Sequence, residues 1–173
     1  MNNYSVLIVE DERIVAKDIQ TTLIKQGYQV AGIASTGEQA LEMIAVHRPD
    51  VVLMDIKLEG DLDGIETAER VKNLYDVPVI FLTAFSNTGI VERAKLSNQY
   101  GYILKPFQER EIQIVIEMAV YKFQAEKSLR QNKEFISAIV DSIGDGIIAT
   151  NDRGEVTYMN VFAEQILQRT SHD

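Results

Sequence analysis

Asp55 closes the apolar run Val51 to Met54, and Glu59, Asp61 and Asp63 follow before Gly64. A lone Asp in such a place is more often a turn former than a reactive group. Three other apolar runs also end on polar groups of distinctive type. Glu10, Asp11 and Glu12 follow "SVLIV"; Thr83 and Ala84 end "VIFLTA"; Lys105, then Pro106, ends "YILK". Clustered carboxylates repel one another, and at least one pKa rises unless a cation intervenes. Mg²⁺ suits such a cluster, because it prefers hard oxygen ligands and tolerates water and phosphate oxygens beside carboxylates. A carboxylate can also attack phosphorus and form an aspartyl phosphate. The incoming oxygens would then need positive charge and hydrogen bonds, which Mg²⁺, the Lys105 ammonium and the Thr83 hydroxyl can supply. Singly, Lys105 reads as a solvated charge and Thr83 as a strand-end hydroxyl bonded to backbone. Their joint occurrence favours a Mg²⁺-dependent phosphoryl-acceptor site.

Such a site requires the four run ends to lie side by side, and the patterning of the chain provides for that. Short continuous apolar runs, as expected of strands buried on both faces, alternate with stretches of helical periodicity. Ile14, Ile19, Leu23 and Ile24 recur at roughly helical spacing until Gly27, and "VAGIA" is a second strand. Ser35 or Thr36 caps a helix carrying Ala40, Leu41 and Ile44, which Pro49 ends. "VVLMD" is the third strand, and Ile65, Ala68 and Val71 line the next helix. "VIFLTA", a weaker helix over about residues 88–99, and "YILK" complete five βα units. This alternation predicts a doubly wound parallel sheet with helices on both faces. In such sheets functional groups gather at the carboxyl ends of the strands, near the point where strand order reverses.

Composition narrows the function classes. The 173 residues suffice for one full domain and a smaller piece, and 46% apolar content can fill a core. A net charge of −9 and a pI near 4.8 argue against binding nucleic acid through the whole surface. The absence of cysteine excludes disulfides, zinc thiolates and cysteine nucleophiles, and fits a reducing compartment. The opening "MNNYSVLIVEDE" lacks the arrangement of a signal peptide, and the apolar run near residues 77–85 is too short to span a bilayer. A soluble cytoplasmic protein is expected.

Residues 4 to about 122 resemble a response-regulator receiver domain. The resemblance rests on "VLIVEDE", "PDVVLMD", "DGIE", "VIFLTA" and "GYILKPF", in the family's order and spacing. It implies a flavodoxin-like five-stranded sheet of order 2-1-3-4-5, with Asp55 as phosphoacceptor. Glu10 and Asp11 become the acidic pair, Asp11 being a direct Mg²⁺ ligand, and the Lys57 backbone carbonyl a further ligand. Thr83 binds the phosphoryl group and shifts with it, and Lys105 pairs with it through a strand end followed by a cis bond to Pro106. Tyr102 matches an aromatic switch residue, and Lys57 and Phe85 match positions that tune dephosphorylation. The donor would be a histidine kinase or phosphotransfer histidine. Two departures stand out. The loop "LEGDLDG" lacks the family's usual proline and carries one extra residue, and Glu10 replaces the commoner Asp.

Beyond the receiver, residues 109–143 contain neither Pro nor Gly. Ile112, Val115, Ile116, Ala119 and Phe123 form an apolar stripe, which Leu129, Ile136, Val140 and Ile143 extend at heptad-like intervals. One helix of ~35 residues would span roughly 50 Å, more than a small domain can cover. A coiled-coil partner is therefore expected, and a parallel homodimer through this helix and through the face of the fourth helix, fifth strand and fifth helix. The alternative is a shorter helix and a flexible linker. Gly144-Asp145-Gly146 ends the helix; "IIATN" and "VTYMN" read as a hairpin around residues 152–154, and "VFAEQIL" as a short helix. Residues 135–173 resemble the start of a PAS sensor domain, so the expected organisation is receiver 1–122, helical linker 123–134 and partial PAS 135–173. The parent chain is expected to continue past Asp173 into the rest of that domain and an output module.

Other chemistries fit less well. Aligning Gly64 with the invariant glycine of an EF-hand loop puts Arg70 where the closing Glu belongs, and a strand precedes the loop. Lys57 breaks the Asp-x-Asp pattern of haloacid-dehalogenase-type phosphatases, and "EDERIV" is not a dinucleotide-binding glycine motif. His47 and His172 have no assigned role. No DNA-reading or kinase motif is present, so no nucleic acid or membrane partner is expected, and catalysis is limited to self-phosphorylation and self-dephosphorylation. The competing function is a dimeric scaffold or sensor whose receiver fold never turns over phosphate.

Overall fold

The computed structural model describes residues 4–84 and 100–167. It divides into two compact units, residues 1–124 and 125–173. In the first, β1 (Ser5–Val9), β2 (Gln29–Ala34), β3 (Val51–Asp55), β4 (Val79–Ala84) and β5 (Gly101–Lys105) form one sheet in the order β2-β1-β3-β4-β5. All neighbouring pairs are parallel. The chain steps outward to β2 on one side of β1 and to β3 on the other, so strand order reverses at β1.

Alternate strand residues feed two cores. Val6, Ile8, Leu53, Ile80 and Leu82 face one, and Leu7, Val9, Val52, Met54 and Phe81 face the other. Burial on both faces explains why these strands read as continuous apolar runs. Helices α1 (Arg13–Lys25), α2 (Gly37–His47) and α3 (Gly64–Leu74) cover the sheet. The helix expected over about residues 88–99 lies outside the described residues.

The apolar stripe of α1 differs from expectation. Ala16, Ile19 and Leu23 are buried, whereas Ile14 and Ile24 are exposed. Each of those two lies five residues from Ile19, about 140° round the helix, and so misses the core. Thr36, not Ser35, caps α2: its Oγ1 accepts from the Gln39 amide at 3.2 Å. Asp63 caps α3 in a reciprocal capping box, accepting from the Glu66 amide at 2.8 Å while Glu66 accepts from the Asp63 amide at 3.3 Å.

The long helix α4 runs unbroken over 34 residues, Glu109–Ser142. Ile112, Ile116, Ala119 and Val120 are buried; Leu129, Phe135, Ile136 and Ile139 are exposed. In the second unit β6 (Ile148–Thr150) and β7 (Val156–Met159) pair antiparallel, and α5 (Val161–Leu167) follows. Asn160 is fully buried and ties this unit together. Its Nδ2 donates to the Val140 and Asp145 carbonyls, and its Oδ1 accepts from the Ile147 and Ala163 amides. Among the described residues, no helix is long and apolar enough to cross a membrane.

Candidate functional site

The carboxyl ends of β1, β3 and β5 converge. Pairing of Val9 with Met54, and of Asp55 with Leu82, fixes the ends of β1, β3 and β4 at one level. Leu82 pairs in turn with Ile103, so Lys105, opposite Ala84, stands two residues beyond that level and its side chain reaches back to the acceptor. Carboxylate oxygens of Glu10, Asp11 and Asp55 lie within 4.8 Å of one another. Lys105 Nζ reaches into this group, donating to Glu10 Oε2 at 2.7 Å and to Asp55 Oδ2 in a still closer contact. The other Asp55 oxygen accepts from the Lys57 amide at 3.1 Å. Thr83 is buried on β4, and among the described residues its hydroxyl makes one long contact, 3.4 Å, to the Ala84 carbonyl.

Electrostatics of the cluster are unbalanced. Among the described residues, three carboxylates face the single ammonium of Lys105. Burial pushes the Glu10 carboxyl up to about 7; the Lys105 hydrogen bond pulls it down, and the charge of Asp55 pushes it up further. Burial would lower the Lys105 pKa, but its hydrogen bonds to Asp55 and Glu10 outweigh that and hold it above the usual lysine value. Glu10 Oε1 is buried and has no hydrogen-bond partner among the described residues. A buried, charged, unpartnered oxygen is costly unless a cation meets it. The donor set is all oxygen, as a hard divalent ion requires.

Local sequence explains the placement of Asp55. Gly64 begins α3 so close to the end of β3 that an added Cβ would sit 1.9 Å from the Asp55 carbonyl oxygen. Its amide donates to the Ile56 carbonyl at 3.0 Å, closing residues 57–63 into a loop beside the acceptor. Leu62 is buried, against Gly37 at the start of α2. Within the acidic run, Asp63 therefore caps a helix and Leu62 anchors the loop. The capping box was legible as Asp63-x-x-Glu66, a signal the strand-end pattern overshadowed.

Tyr102 is half-buried on β5 with its ring 6.0 Å from that of Phe81, and burial raises its pKa. The Lys105–Pro106 bond is cis. The Lys57 side chain is exposed, and Phe85 lies outside the described residues. Ile14, exposed on α1, joins Val15, Asp18, Pro106 and Phe107 around a groove of about 520 Å³ that opens beside Lys105. Helical spacing alone groups Ile14 with Ile19 and Leu23 and does not show this rim.

The parallel sheet of order 2-1-3-4-5, with an acidic cluster and a lysine at its carboxyl edge, defines a flavodoxin-like receiver. The chain belongs to the response regulator receiver domain family, which matches residues 6–117. It is 38% identical over 119 residues to the transcriptional regulatory protein PdtaR of Mycobacterium tuberculosis, across 69% of this chain and 58% of that protein. The chain thus spans somewhat over half the length of that curated relative. The N-terminal domain of a response regulator/sensory box/GGDEF three-domain protein from Carboxydothermus hydrogenoformans is 39% identical, with a TM-score of 0.65 over 70% of this chain and 98% of that one. The receiver domain of the sensor histidine kinase PA1611 from Pseudomonas aeruginosa PAO1 has magnesium coordinated in its active-site cleft. It is 29% identical, with a TM-score of 0.63 over 68% of this chain and 98% of that one.

Proposed function

We propose that this chain is a phosphorelay response regulator in which Asp55 accepts a phosphoryl group from a histidine kinase or phosphotransfer histidine. One observation carries the reading: Glu10 Oε1, without a hydrogen-bond partner among the described residues, lies in a three-carboxylate cluster that Lys105 enters. Glu10, Asp11, Asp55 and the Lys57 carbonyl would hold Mg²⁺, which neutralises charge on the phosphoryl oxygens. An Asp55 oxygen attacks phosphorus as the bond from phosphorus to the donor imidazole breaks, and the imidazole keeps the electron pair. Lys105 transfers its hydrogen bonding from the carboxylates to the new phosphoryl group. Thr83, weakly engaged by the Ala84 carbonyl, turns its hydroxyl towards that group. Tyr102 follows as the switch, while Lys57 and Phe85 tune hydrolysis. The face of the helix expected near residues 88–99, β5 and α4 then changes shape and biases dimerisation and the outgoing helix.

The groove beside Lys105 is the landing surface for the donor protein, a reading supported by its exposed apolar rim at Ile14 next to the lysine that contacts Asp55. Catalysis by this chain is limited to self-phosphorylation and self-dephosphorylation, in the cytoplasm. Residues 123–134 are a linker and 135–173 the first part of a PAS domain. The domain order in the name of the Carboxydothermus protein, receiver before sensory box, supports this. The long helix pairs with a second copy in parallel.

Intact mass after incubation with acetyl phosphate and Mg²⁺ tests the acceptor. Wild type is expected to gain one phosphoryl group, and to gain none with chelator or as Asp55→Asn. No gain by wild type, or equal gain by Asp55→Asn, sinks the reading in favour of a phosphate-independent scaffold. Ile14→Asp is expected to slow transfer from a phosphorylated histidine phosphotransfer domain and leave labelling by acetyl phosphate unchanged.

A further inference from the structure

The second half of α4, with the residue just past its end, carries a seam with an internal register mark. Leu129, Asn132, Ile136, Ile139 and Ile143 are spaced three, four, three and four residues apart, the alternation that lines one side of a supercoiling helix. Leu129 is 72% exposed and Ile136 60%. Within this unit the hairpin holds a different side of the helix: Asn160 donates to the Val140 carbonyl, and the Tyr158 hydroxyl to Asp141. A groove of about 520 Å³ runs along Leu129, Asn132, Ile136 and Val140, with Tyr158 as its wall.

We infer that the occupant of this seam is the same segment of a second copy, in parallel, with Asn132 facing Asn132. This deepens the parallel pairing proposed above and rests on it. The charge and polarity of the segment select that arrangement. In a parallel, in-register pair each seam residue meets its own counterpart, Leu129 on Leu129 and Ile136 on Ile136. The two Asn132 amides can then each donate to the other's carbonyl oxygen. A slip of one heptad would set Asn132 against Ala125 or Ile139, and an antiparallel pair would set it against Leu129 or Ile136. Either leaves a desolvated amide without a partner. The flanking positions add no penalty: Ser128 would face Lys133, and Phe135 would face Val140, so no like charges meet. Asn132 thus trades seam stability for one register, through the cost of burying its amide unpaired in any other.

The chain has no cysteine, so single cysteines report the geometry of the full-length protein directly. Asn132→Cys and Ile136→Cys are expected to form disulfide-linked dimers under mild oxidation severalfold faster than Gln131→Cys and Glu134→Cys, which lie off the seam. The Ile136→Cys cross-link should weaken when Asn132→Ile is added, as other registers and larger assemblies become populated. Sedimentation of the uncrosslinked wild type separates the two ideas. A monomer overturns the proposed pairing and the seam with it. A dimer whose off-seam cysteines cross-link as fast overturns the seam alone. A dimer in which Asn132→Ile changes neither the cross-linking pattern nor the mass overturns the register role of Asn132.

Discussion

The two units bury different things. In the first, both faces of a five-stranded sheet are covered, and Leu7, Ile8, Leu53 and Phe81 are wholly enclosed. In the second, the described buried residues are Ala163 and Asn160, while Ile148, Val156, Val161 and Phe162 are exposed. Helix α4 contributes to both and changes character along its length. Its first turns are held by apolar burial within the chain; its later turns expose an equally regular apolar side. Helical periodicity therefore says that a face will be covered, not by what. Stability in the first unit comes from area removed from water. In the second it comes from one amide that satisfies four backbone groups.

That contrast can be broken by choosing one residue of each kind. Phe81→Ala empties the centre of the sheet, and by the usual cost of such cavities should destabilise the first unit by ~3–5 kcal/mol. Urea denaturation followed by far-UV circular dichroism would read the loss. A cost under ~1 kcal/mol would show that packing is not what holds this unit. Asn160→Ala should leave the Ile147 and Ala163 amides and the Asp145 carbonyl without this partner, and the Val140 carbonyl with the Ile143 amide alone, at ~1–3 kcal/mol for each orphaned group that water cannot reach. Hydrogen exchange should then accelerate across residues 140–163 and stay unchanged in β1, β3 and α1. Equal acceleration in both regions would mean that they are one cooperative unit.

The receiver was legible because its elements obey local rules strongly. Four apolar runs end on Glu10, Asp55, Thr83 and Lys105, and a parallel sheet brings such ends to one edge whatever lies between them. Less legible were features set by direction, not type. Ile14 and Ile24 fit a loose helical spacing but point away from the sheet, which only the packing of Ile19 and Leu23 reveals. Asp63 carried a capping signature but stood among other acids, and Leu62 looked like one apolar residue in a polar loop. The pairing of Lys105 with Glu10, across 95 residues, follows only from the strand order.

A smaller effect probes burial without cavity formation. Tyr28 is nearly enclosed in the core of the first unit, and its hydroxyl has no hydrogen-bond partner among the described residues. Burial, with contributions from Glu117 and Tyr4, pushes its pKa up to about 12. An unfolded tyrosine titrates near ~10, so folding favours the neutral phenol. The associated stability is fully present below about pH 10 and is lost as the pH rises towards 12, to a total of ~2–3 kcal/mol. Tyr28→Phe removes the titrating group. The difference between wild type and variant in urea midpoint should be flat from pH 7 to 9 and should move in the variant's favour above pH 10. A difference that stays flat to pH 11.5 would mean that the hydroxyl is solvated.

The smallest expected effect separates structure from chemistry in the acidic loop. Asp63 accepts from the Glu66 amide, and Glu66 from the Asp63 amide, at the start of α3. Asp63→Ala should cost ~1 kcal/mol, the usual worth of such a cap. Asp61 has no comparable role in starting α3, and Asp61→Ala should fall within ~0.5 kcal/mol of wild type. Neither belongs to the carboxylate cluster of Glu10, Asp11 and Asp55, so both variants should keep wild-type Mg²⁺ affinity, read by titration calorimetry. If Asp61→Ala instead weakens Mg²⁺ binding and leaves stability alone, the extra residue in this loop has added a ligand. The boundary between helix cap and metal site would then fall two residues earlier than the hydrogen bonds place it.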